Sequence, residues 1–203
     1  MNEQEKFWSG KFGNNYISRN NSKKLQKNND YFFKKIFIKK YKINSIIELG
    51  SNIGNNLLSL EKIYKKSKIT SVEVNKQACS ILKKKRSNYK IINDTILNFK
   101  TKLKFNLVLC KGVLIHINPK QLEKVYRQIY SLSNKYILIA EYFSPNPEKI
   151  KYRNHKNKLF KRDFAFEMMQ AHKNLKLIDY GFVYHKDKYP VDNINWFLLK
   201  KIK

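Results

Sequence analysis

The sequence predicts an α/β fold: a seven-stranded, mostly parallel sheet with helices on both faces, an antiparallel C-terminal hairpin and an N-terminal helical cap. Three observations lead to it. From Ile43 onward, short apolar runs alternate with helical patterns, as buried parallel strands and their crossover helices do. The last two apolar runs are joined by only Lys186–Asp192, too short for a crossover helix, so they should pair antiparallel. The segment before Ile43 instead carries an aromatic, amphipathic pattern.

The N-terminal segment, residues 1–42, is interpreted as one or two helices packed on the main body. Within it, Leu25–Tyr41 has apolar residues at helical spacing. Its first aromatic residues are Phe7, Trp8, Phe12 and Tyr16. With residues 43–203 as the core, the 203-residue chain is expected to form a single domain.

Seven apolar runs are the predicted strands: Ser45–Leu49, Ile69–Val74, Tyr89–Asn93, Phe105–Cys110, Tyr136–Ala140, Leu175–His185 and Asn193–Ile202. The core helices are predicted at Asn55–Lys66, at Lys76–Lys85, after Asn118 and at Asp163–Ala171. The helix after the fourth strand has the clearest start, because Asn118 can cap it, Pro119 suits its first turn and Gln121 completes a capping box.

Composition excludes several classes of protein. With 42% hydrophobic residues the chain can bury a core, so it is not disordered or fibrous. The chain has two cysteines and no Cys/His cluster, so we expect neither a disulfide framework nor a metal site. The low cysteine content favours a reducing, cytoplasmic location. The start of the chain lacks a secretory pattern, and no apolar run approaches the ~20 residues of a membrane span.

The net charge of +28 has two interpretations. One is a nucleic-acid partner. The other is a compositional preference for Lys, Asn and Ile, since only five of the 43 basic residues are arginine. Base-edge and bidentate phosphate recognition favour arginine, so the compositional interpretation is preferred and nucleic acid is not the expected partner.

The loop Glu48–Gly54 has the context of a nucleotide-binding glycine loop, because it follows a strand and opens a helix. Gly50 allows a tight turn, and Gly54 lets the helix pack near the strand. Asn52 stands where a dinucleotide fingerprint has its middle glycine, which argues against NAD. A plain strand-to-helix turn is the alternative.

Acidic residues follow the next two strands. Glu73 ends the second strand, where a carboxylate can accept hydrogen bonds from two ribose hydroxyls; a solvated acid is the alternative. Asp94, Thr95 and Ile96 follow the third strand and could form a shelf for adenine. Together with the glycine loop, these residues indicate an adenosine-containing ligand.

These motifs, with Cys110–Gly112 closing the fourth strand, resemble those of class I S-adenosylmethionine-dependent methyltransferases, whose Rossmann-like seven-stranded sheet also ends antiparallel. Over nearly the whole chain, the sequence is similar to one subfamily, the pseudaminic acid biosynthesis-associated methylases of bacterial surface-glycan gene clusters. The segments that carry this similarity are Glu3–Trp8, Phe12–Gly13, Tyr16–Asn20, Glu48–Gly54, Lys111–Pro119, Tyr136–Tyr142, Leu159–Phe164 and Asp179–His185.

The resemblance implies S-adenosylmethionine as the cofactor and a set of residues around it. The loop residues around the methionine moiety would be Glu48, Gly50, Ser51, Asn52 and Gly54. Glu73 would hold the ribose, Asp94 with Thr95 and Ile96 the adenine, and Cys110 and Lys111 would flank the sulfonium through backbone groups. The candidates for a lid are Phe7, Trp8, Tyr16 and Arg19, with simple packing as the alternative for the aromatic side chains.

Methyl transfer to a hydroxyl or amine also needs a group that removes a proton. His116, between the fourth strand and the capped helix, is the candidate general base. A structural histidine bonded to a backbone carbonyl is the alternative.

The long connection Glu141–Lys161 is expected to overhang the methyl donor. The candidate acceptor-binding residues are Tyr142, Tyr152, Arg153, His155 and the adjoining Arg162. Arginine is scarce in this chain and binds carboxylate or phosphate in a bidentate manner, so Arg153 and Arg162 suit an anion. The alternative for Arg162 is an ion pair with Asp163 or another acid.

The subfamily implies as acceptor an acidic sugar of the nonulosonic or pseudaminic acid type, or its nucleotide-activated form. Two other functions remain open. An RNA methyltransferase would use the same cofactor and the basic surface, and a non-catalytic scaffold would keep only the fold. The sequence predicts no oligomeric state.

Overall fold

The structure is a computed structural model that describes residues 1–20, 22–38 and 41–202. Its helices α1–α7 span Glu3–Ser9, Lys11–Asn20, Lys23–Ile36, Asn55–Ile63, Lys76–Lys85, Leu122–Leu132 and Phe164–Ala171. Its strands β1–β9 span Ser45–Leu49, Lys68–Glu73, Lys90–Asn93, Phe105–Lys111, Ser133–Glu141, Glu148–Tyr152, His155–Lys161, Leu175–Val183 and Ile194–Lys201. No helix in these described ranges is long and apolar enough to cross a membrane.

The central sheet has the predicted seven strands, in the order β3-β2-β1-β4-β5-β9-β8. Strands β1 to β5 pair in parallel, whereas β9 pairs antiparallel with both β5 and β8. The predicted α/β class and the antiparallel C-terminal hairpin are therefore confirmed. The strand order reverses direction between β1 and β4, and ligands of open α/β sheets bind at such a switch point.

Helices cover both faces of the sheet, as the apolar strands require. In β1, Ile46 packs into a cluster with Phe33 of α3 and Leu57 of α4. Its neighbour Ile47 points the other way, into a cluster with Val125 of α6. All five side chains are fully buried. Because successive side chains of a strand alternate between faces, a strand that is apolar throughout needs this double cover.

The N-terminal cap contains three helices within the described residues, rather than one or two. The first ends at Ser9 with Gly10 as its C-cap, which separates it from α2. The predicted helix Leu25–Tyr41 is also too long, because α3 stops at Ile36 and Phe37 is its C-cap. Residues 39 and 40 of that prediction lie outside the described part of the chain.

The start of α6 also differs from the predicted capping box. Asn118 caps a short 3₁₀ helix, Pro119–Gln121, through the Lys120 N–H (3.0 Å), and α6 begins at Leu122. The Gln121 side chain accepts a hydrogen bond from the Asn2 side chain (2.7 Å). The side-chain oxygen that a capping box would use at the helix start is therefore bound to the N-terminal segment.

The connection after β5 holds an element that the sequence did not reveal, the two-stranded hairpin β6–β7. Its turn residues Arg153 and Asn154 have φ of +46° and +69°, the left-handed conformation of tight hairpin turns. The strands Glu148–Tyr152 and His155–Lys161 are rich in lysine, the first is mostly exposed and the second has three buried residues in a row, so they lack the clear alternation that predicts a strand.

Candidate active site

A cavity of about 270 Å³ lies at the carboxyl ends of the parallel strands, at the switch point. The N-terminal helices contribute to its walls together with loops that follow β1 to β5. The predicted site residues that line it are Trp8, Tyr16, Gly50, Ser51, Asn52, Glu73, Asp94, Thr95, Ile96, Lys111, His116, Tyr142 and Tyr152. The predicted site residues that do not are Arg19, Glu48, Gly54, Cys110, Arg153, His155 and Arg162.

The glycine loop needs its small residues for two reasons. Gly50, Asn52 and Gly54 all have positive φ, at +76°, +49° and +80°, a conformation that glycine and asparagine tolerate best. A Cβ on Gly50 would lie 2.6 Å from Val113 Cγ2, and one on Gly54 would lie 2.4 Å from Leu82 Cδ1. Gly54 therefore lets α4 pack closely in the core without lining the cavity itself.

Glu73 closes the loop from the neighbouring strand. The Asn52 N–H donates to Oε2 and the Asn75 N–H to Oε1, both at 2.7 Å. Burial raises the pKa of Glu73, and these backbone donors oppose that effect. The side chain is buried and lines the cavity, so the alternative of a solvated acid at a strand end is wrong.

Two predicted cofactor residues lie behind the cavity wall. Glu48 is fully buried beneath the loop, where Oε1 accepts from the Asn56 amide (2.6 Å) and burial raises its pKa to about 8. Cys110 is fully buried within β4, where it pairs with Ile139 of β5. The residue after it, Lys111, reaches the cavity instead, because the strand ends there.

The loop after β3 forms the predicted shelf. The Asp94 N–H donates to the Glu73 carbonyl (3.1 Å), which ties the shelf to β2. The Asp94 side chain then accepts from the Thr95 N–H (2.7 Å). Asp94, Thr95 and Ile96 are thereby held side by side at the cavity wall.

The first helix contributes a wall that faces His116. The Trp8 ring centroid lies 4.5 Å from that of His116 and 5.2 Å from that of Tyr16, and the Trp8 carbonyl accepts from Asn75 (3.1 Å). Gln4 also lines the cavity; its amide nitrogen donates to the Asn157 carbonyl (3.1 Å). Sequence reasoning missed Gln4, since a lone glutamine on a short helix has no distinctive pattern.

Two outlying candidates pack against this aromatic wall. The Arg19 guanidinium lies 5.2 Å from the Phe12 ring and 5.3 Å from the Tyr16 ring. The His155 ring lies 4.9 Å from Phe7 and 5.5 Å from Phe12. Arg19 and His155 therefore support Tyr16, Phe7 and Phe12 from outside rather than facing the cavity.

His116 makes the hydrogen bond of a structural histidine through one ring nitrogen, which leaves its other ring nitrogen for a second partner. It is buried, and its Nδ1–H donates to the Lys158 carbonyl on β7 (2.5 Å), as a structural histidine would. Nε2 is therefore the nitrogen left to accept a proton. Burial lowers the pKa of His116 to about 4, so the ring is neutral near pH 7.

Beyond His116, the ends of β4 and β5 hold a group of polar side chains. The Glu141 Oε1 accepts from the N–H groups of Val113 and Leu114, both at 2.9 Å. The Tyr142 hydroxyl donates to Asp192 in the segment before β9. Glu141 and Asp192 line the cavity, and sequence reasoning missed both as site residues. Glu141 directly follows the predicted strand Tyr136–Ala140 at the ligand-binding edge, and that position was the available signal.

The two arginines proposed for the acceptor do not reach the cavity. Arg162 Nε donates to Glu167 Oε1 (2.7 Å), so the ion-pair alternative is correct, with Glu167 as the partner. Arg153 is exposed in the hairpin turn, next to Tyr152, whose ring lines the cavity. Arg153 thus lies at the rim of the cavity, whereas the guanidinium of Arg162 is bound to Glu167.

The charge of the cavity is opposite to that of the chain. Among the described residues that line it, the acidic ones are Glu5, Glu73, Asp94, Glu141 and Asp192, whereas Lys111 is the one lysine or arginine. The whole chain has 43 basic and only 15 acidic residues. Cationic groups and hydrogen-bond donors are therefore favoured inside the cavity.

Unpartnered polar atoms show that the cavity fits a polar ligand. Gln4 Oε1, Asn56 Oδ1, Glu141 Oε2 and Trp8 Nε1 are buried without a hydrogen-bond partner, and all four residues line it. Buried polar groups are normally satisfied, so these four atoms are groups that a polar ligand would satisfy on binding. Three are acceptors, which suits the amino group and hydroxyls of S-adenosylmethionine.

Comparisons with known proteins find similarity in sequence and in fold. Residues 46–135 match a family model described as a methyltransferase domain. No curated protein matches the sequence. Among solved structures, the fold resembles an S-adenosylmethionine-dependent methyltransferase from Clostridium acetobutylicum, with a TM-score of 0.68, 12% identity and coverage of 95% of this chain and 98% of the other.

Two further structures have the same fold. One is the 1,6-didemethyltoxoflavin-N1-methyltransferase of Burkholderia thailandensis, with a TM-score of 0.72, 12% identity and coverage of 98% and 87%. The other is the magnesium protoporphyrin IX methyltransferase of Synechocystis, with a TM-score of 0.72, 8% identity and coverage of 98% and 97%. Both contain S-adenosylhomocysteine. Residues 46–135 are therefore similar to a methyltransferase domain, and the chain shares its fold with these solved methyltransferases.

Proposed function

We propose that this protein transfers a methyl group from S-adenosylmethionine to a hydroxyl or amine of a small acceptor. The observation that carries the proposal is the single cavity wall that combines the glycine loop, Glu73 and the Asp94 shelf. When bound, S-adenosylmethionine supplies an electrophilic methyl group on a sulfonium. Residues of this chain must then orient the acceptor, exclude water and take up its proton.

The cofactor would be held at the ends of β1, β2 and β3. Gly50, Ser51 and Asn52 would surround the methionine moiety, and the Glu73 carboxylate would accept from the ribose hydroxyls. Asp94, Thr95 and Ile96 would hold the adenine. Trp8 and Tyr16 would cover the ligand and keep water out.

His116 would act as the general base at the acceptor side. The Lys158 carbonyl holds Nδ1, which keeps the ring in one orientation with Nε2 free to take the proton of the acceptor. Because burial lowers its pKa to about 4, the ring is in the neutral form that this role requires.

The proposed acceptor is a sugar of the nonulosonic acid type or its activated form, in surface-glycan biosynthesis. The subfamily resemblance of the sequence supports this class. The acidic lining suits the hydroxyl or amine that is methylated, because these groups donate hydrogen bonds. The anionic part of the sugar would then lie at the rim, by the exposed Arg153, or next to Lys111.

Two measurements test the function. Calorimetric titration with S-adenosylmethionine and S-adenosylhomocysteine should show one site per chain. Radiolabelled methyl transfer should then be assayed against free and nucleotide-activated nonulosonic acids, with matched neutral sugars as controls. Absence of cofactor binding would contradict the proposal, and transfer only to the neutral sugars would contradict the acidic-sugar class.

A further inference from the structure

The cavity wall at the ends of β4 and β5 contains a buried carboxylate to which the proposed function gives no role. Glu141 is only 3% exposed, yet it lines the cavity. Its Oε1 is bonded to the N–H groups of Val113 and Leu114, whereas its Oε2 is buried without a partner. A buried polar atom without a partner is unfavourable, and more so when it is charged, so a ligand group that satisfies Oε2 is expected.

The order of the strands determines which part of the cofactor faces this carboxylate. Glu73 ends β2 on one side of β1, whereas β4 and β5 follow on the other side. The bonds from the loop after β4 direct the Glu141 carboxylate over the β4 end. A ligand whose ribose lies at Glu73 therefore extends across the glycine loop towards Glu141. In S-adenosylmethionine, the group next to the ribose in that direction is the sulfonium.

The charges around Glu141 favour the binding of a further cation. Its charged or titratable neighbours are Lys111 and Cys110 on β4 and Tyr126 on α6, and Lys111 in turn interacts with Glu48 on β1 and Asp192 before β9. Lys111 is shared among the three carboxylates of Glu48, Glu141 and Asp192. None of the ion pairs between described residues includes Glu141. Burial raises the pKa of Glu48 to about 8, so near pH 7 Lys111 faces mainly the carboxylates of Glu141 and Asp192. Once Glu141 is charged, these two outnumber the one nearby cation, and a second positive charge would be attracted.

We propose that Glu141 is the counter-ion for the sulfonium of S-adenosylmethionine and thereby makes the site prefer this cofactor over S-adenosylhomocysteine. The inference rests on the proposed function. S-adenosylhomocysteine has a neutral thioether in place of the sulfonium, so it cannot form this ion pair. Once the methyl group has been transferred, the attraction disappears, which favours release of the product.

The test compares the affinities of the two cofactor forms in matched variants. The dissociation constants of S-adenosylmethionine and S-adenosylhomocysteine are measured by calorimetry for the native protein, Glu141→Gln and Asp192→Asn. Glutamine keeps an oxygen for the Val113 and Leu114 N–H groups but removes the charge. We expect Glu141→Gln to weaken S-adenosylmethionine binding roughly 10-fold relative to S-adenosylhomocysteine.

Asp192→Asn is the control for a general loss of negative potential, since Asp192 lines the same cavity but already accepts from Tyr142. We expect it to change the affinity ratio less than about 3-fold, because the Asp192 carboxylate already has a hydrogen-bond donor, whereas Oε2 of Glu141 has none. An equal change in the ratio for both variants would overturn the assignment to Glu141. So would a parallel loss of both affinities in Glu141→Gln.

A pH titration of the native protein tests the same inference without a mutation. Burial raises the pKa of Glu141 to about 7, so the carboxylate gains its charge as pH rises through that value. The affinity for S-adenosylmethionine relative to S-adenosylhomocysteine should therefore increase between pH 6 and pH 8. The two ligands share the same amino acid moiety, which cancels in the ratio. A ratio independent of pH would overturn the inference, whereas binding of neither ligand would overturn the proposed function itself.

Discussion

The two ends of the cavity differ in the sequence separation of the hydrogen bonds that hold them. The bonds of Glu73 at the end of β2 span 2 and 21 residues, whereas those that hold His116 and Gln4 at the end of β4, β5 and the β6–β7 hairpin span 42 and 153 residues. At the first end, Glu73 binds the backbone of Asn52 and Asn75. At the second end, His116 is oriented by the Lys158 carbonyl, and Gln4 is anchored to the Asn157 carbonyl.

This difference indicates that the two ends can be perturbed separately. The loop and the shelf of the cofactor end are tied to one another by backbone hydrogen bonds. The acceptor end needs α1 and the hairpin to be packed in place, since both supply its contacts. Variants at one end should therefore leave the function of the other largely intact, and four predictions test that separation.

The largest effect is expected from His116→Ala at the acceptor end. General-base catalysis contributes about 10²–10⁴-fold, so the rate of methyl transfer should fall by that factor. The affinity for S-adenosylhomocysteine should change less than about 3-fold. Steady-state transfer assays and calorimetry measure the two quantities, and an unchanged transfer rate would exclude His116 as the base.

The next effect concerns the scaffold of the cofactor end. Gly54→Ala should lower the free energy of unfolding by about 2–4 kcal/mol, because a left-handed backbone and a clash with buried Leu82 add together. Urea denaturation measures it. Gly112→Ala is the control, since Gly112 also has positive φ but a Cβ there would have no neighbour within 4 Å. Equal losses for both variants would mean that close packing at Gly54 contributes nothing.

Glu73→Ala should weaken S-adenosylhomocysteine binding about 100-fold, since two charge-assisted hydrogen bonds to the ribose would be lost and the loop would lose its closing contact. Glu73→Gln is the milder comparison, because it keeps the shape and one acceptor. Calorimetric titration gives the affinities. If binding were unaffected in both variants, the ribose would have to lie elsewhere.

The smallest effect is expected at the rim. Arg153→Lys should raise the KM for an acidic sugar acceptor a few-fold, because lysine keeps the charge but loses bidentate recognition. The affinity for S-adenosylhomocysteine should stay the same, since Arg153 is exposed outside the cavity. An equal loss of both would indicate a folding defect, and no change in KM would remove Arg153 from the acceptor site.

The sequence predicted the fold well because its signals are local. Apolar runs and their alternation with helices depend on neighbouring residues, and they placed all seven strands of the central sheet. The hairpin β6–β7 was missed, because its lysine-rich strands show no regular alternation of apolar and polar residues and resemble a loop in pattern. The helix α3 was predicted too long, because apolar residues continue in the sequence beyond Ile36, where the helix ends.

The candidate site divides in the same way. The loop residues Gly50 and Asn52 and the acid Glu73 line the cavity where a strand–loop pattern predicted them. The role of Arg162 could not be assigned from the scarcity of arginine in the chain and from its position after the long connection. Its contact with Glu167 on α7 forms only when the two segments pack together. Glu141 was passed over because its position at a strand end, the one local signal, does not distinguish an acid that faces a ligand from one that faces solvent.

By itself, then, the sequence determined the α/β architecture and the cofactor end of the cavity, because side-chain periodicity and turn chemistry act between close neighbours along the chain. Only the tertiary structure decided the acceptor end. There, the protonation state of His116, the unpartnered oxygen of Glu141 and the inward place of Gln4 result from burial and from contacts between segments far apart in sequence. Burial and long-range contact are properties of the packed chain, and no local pattern encodes them.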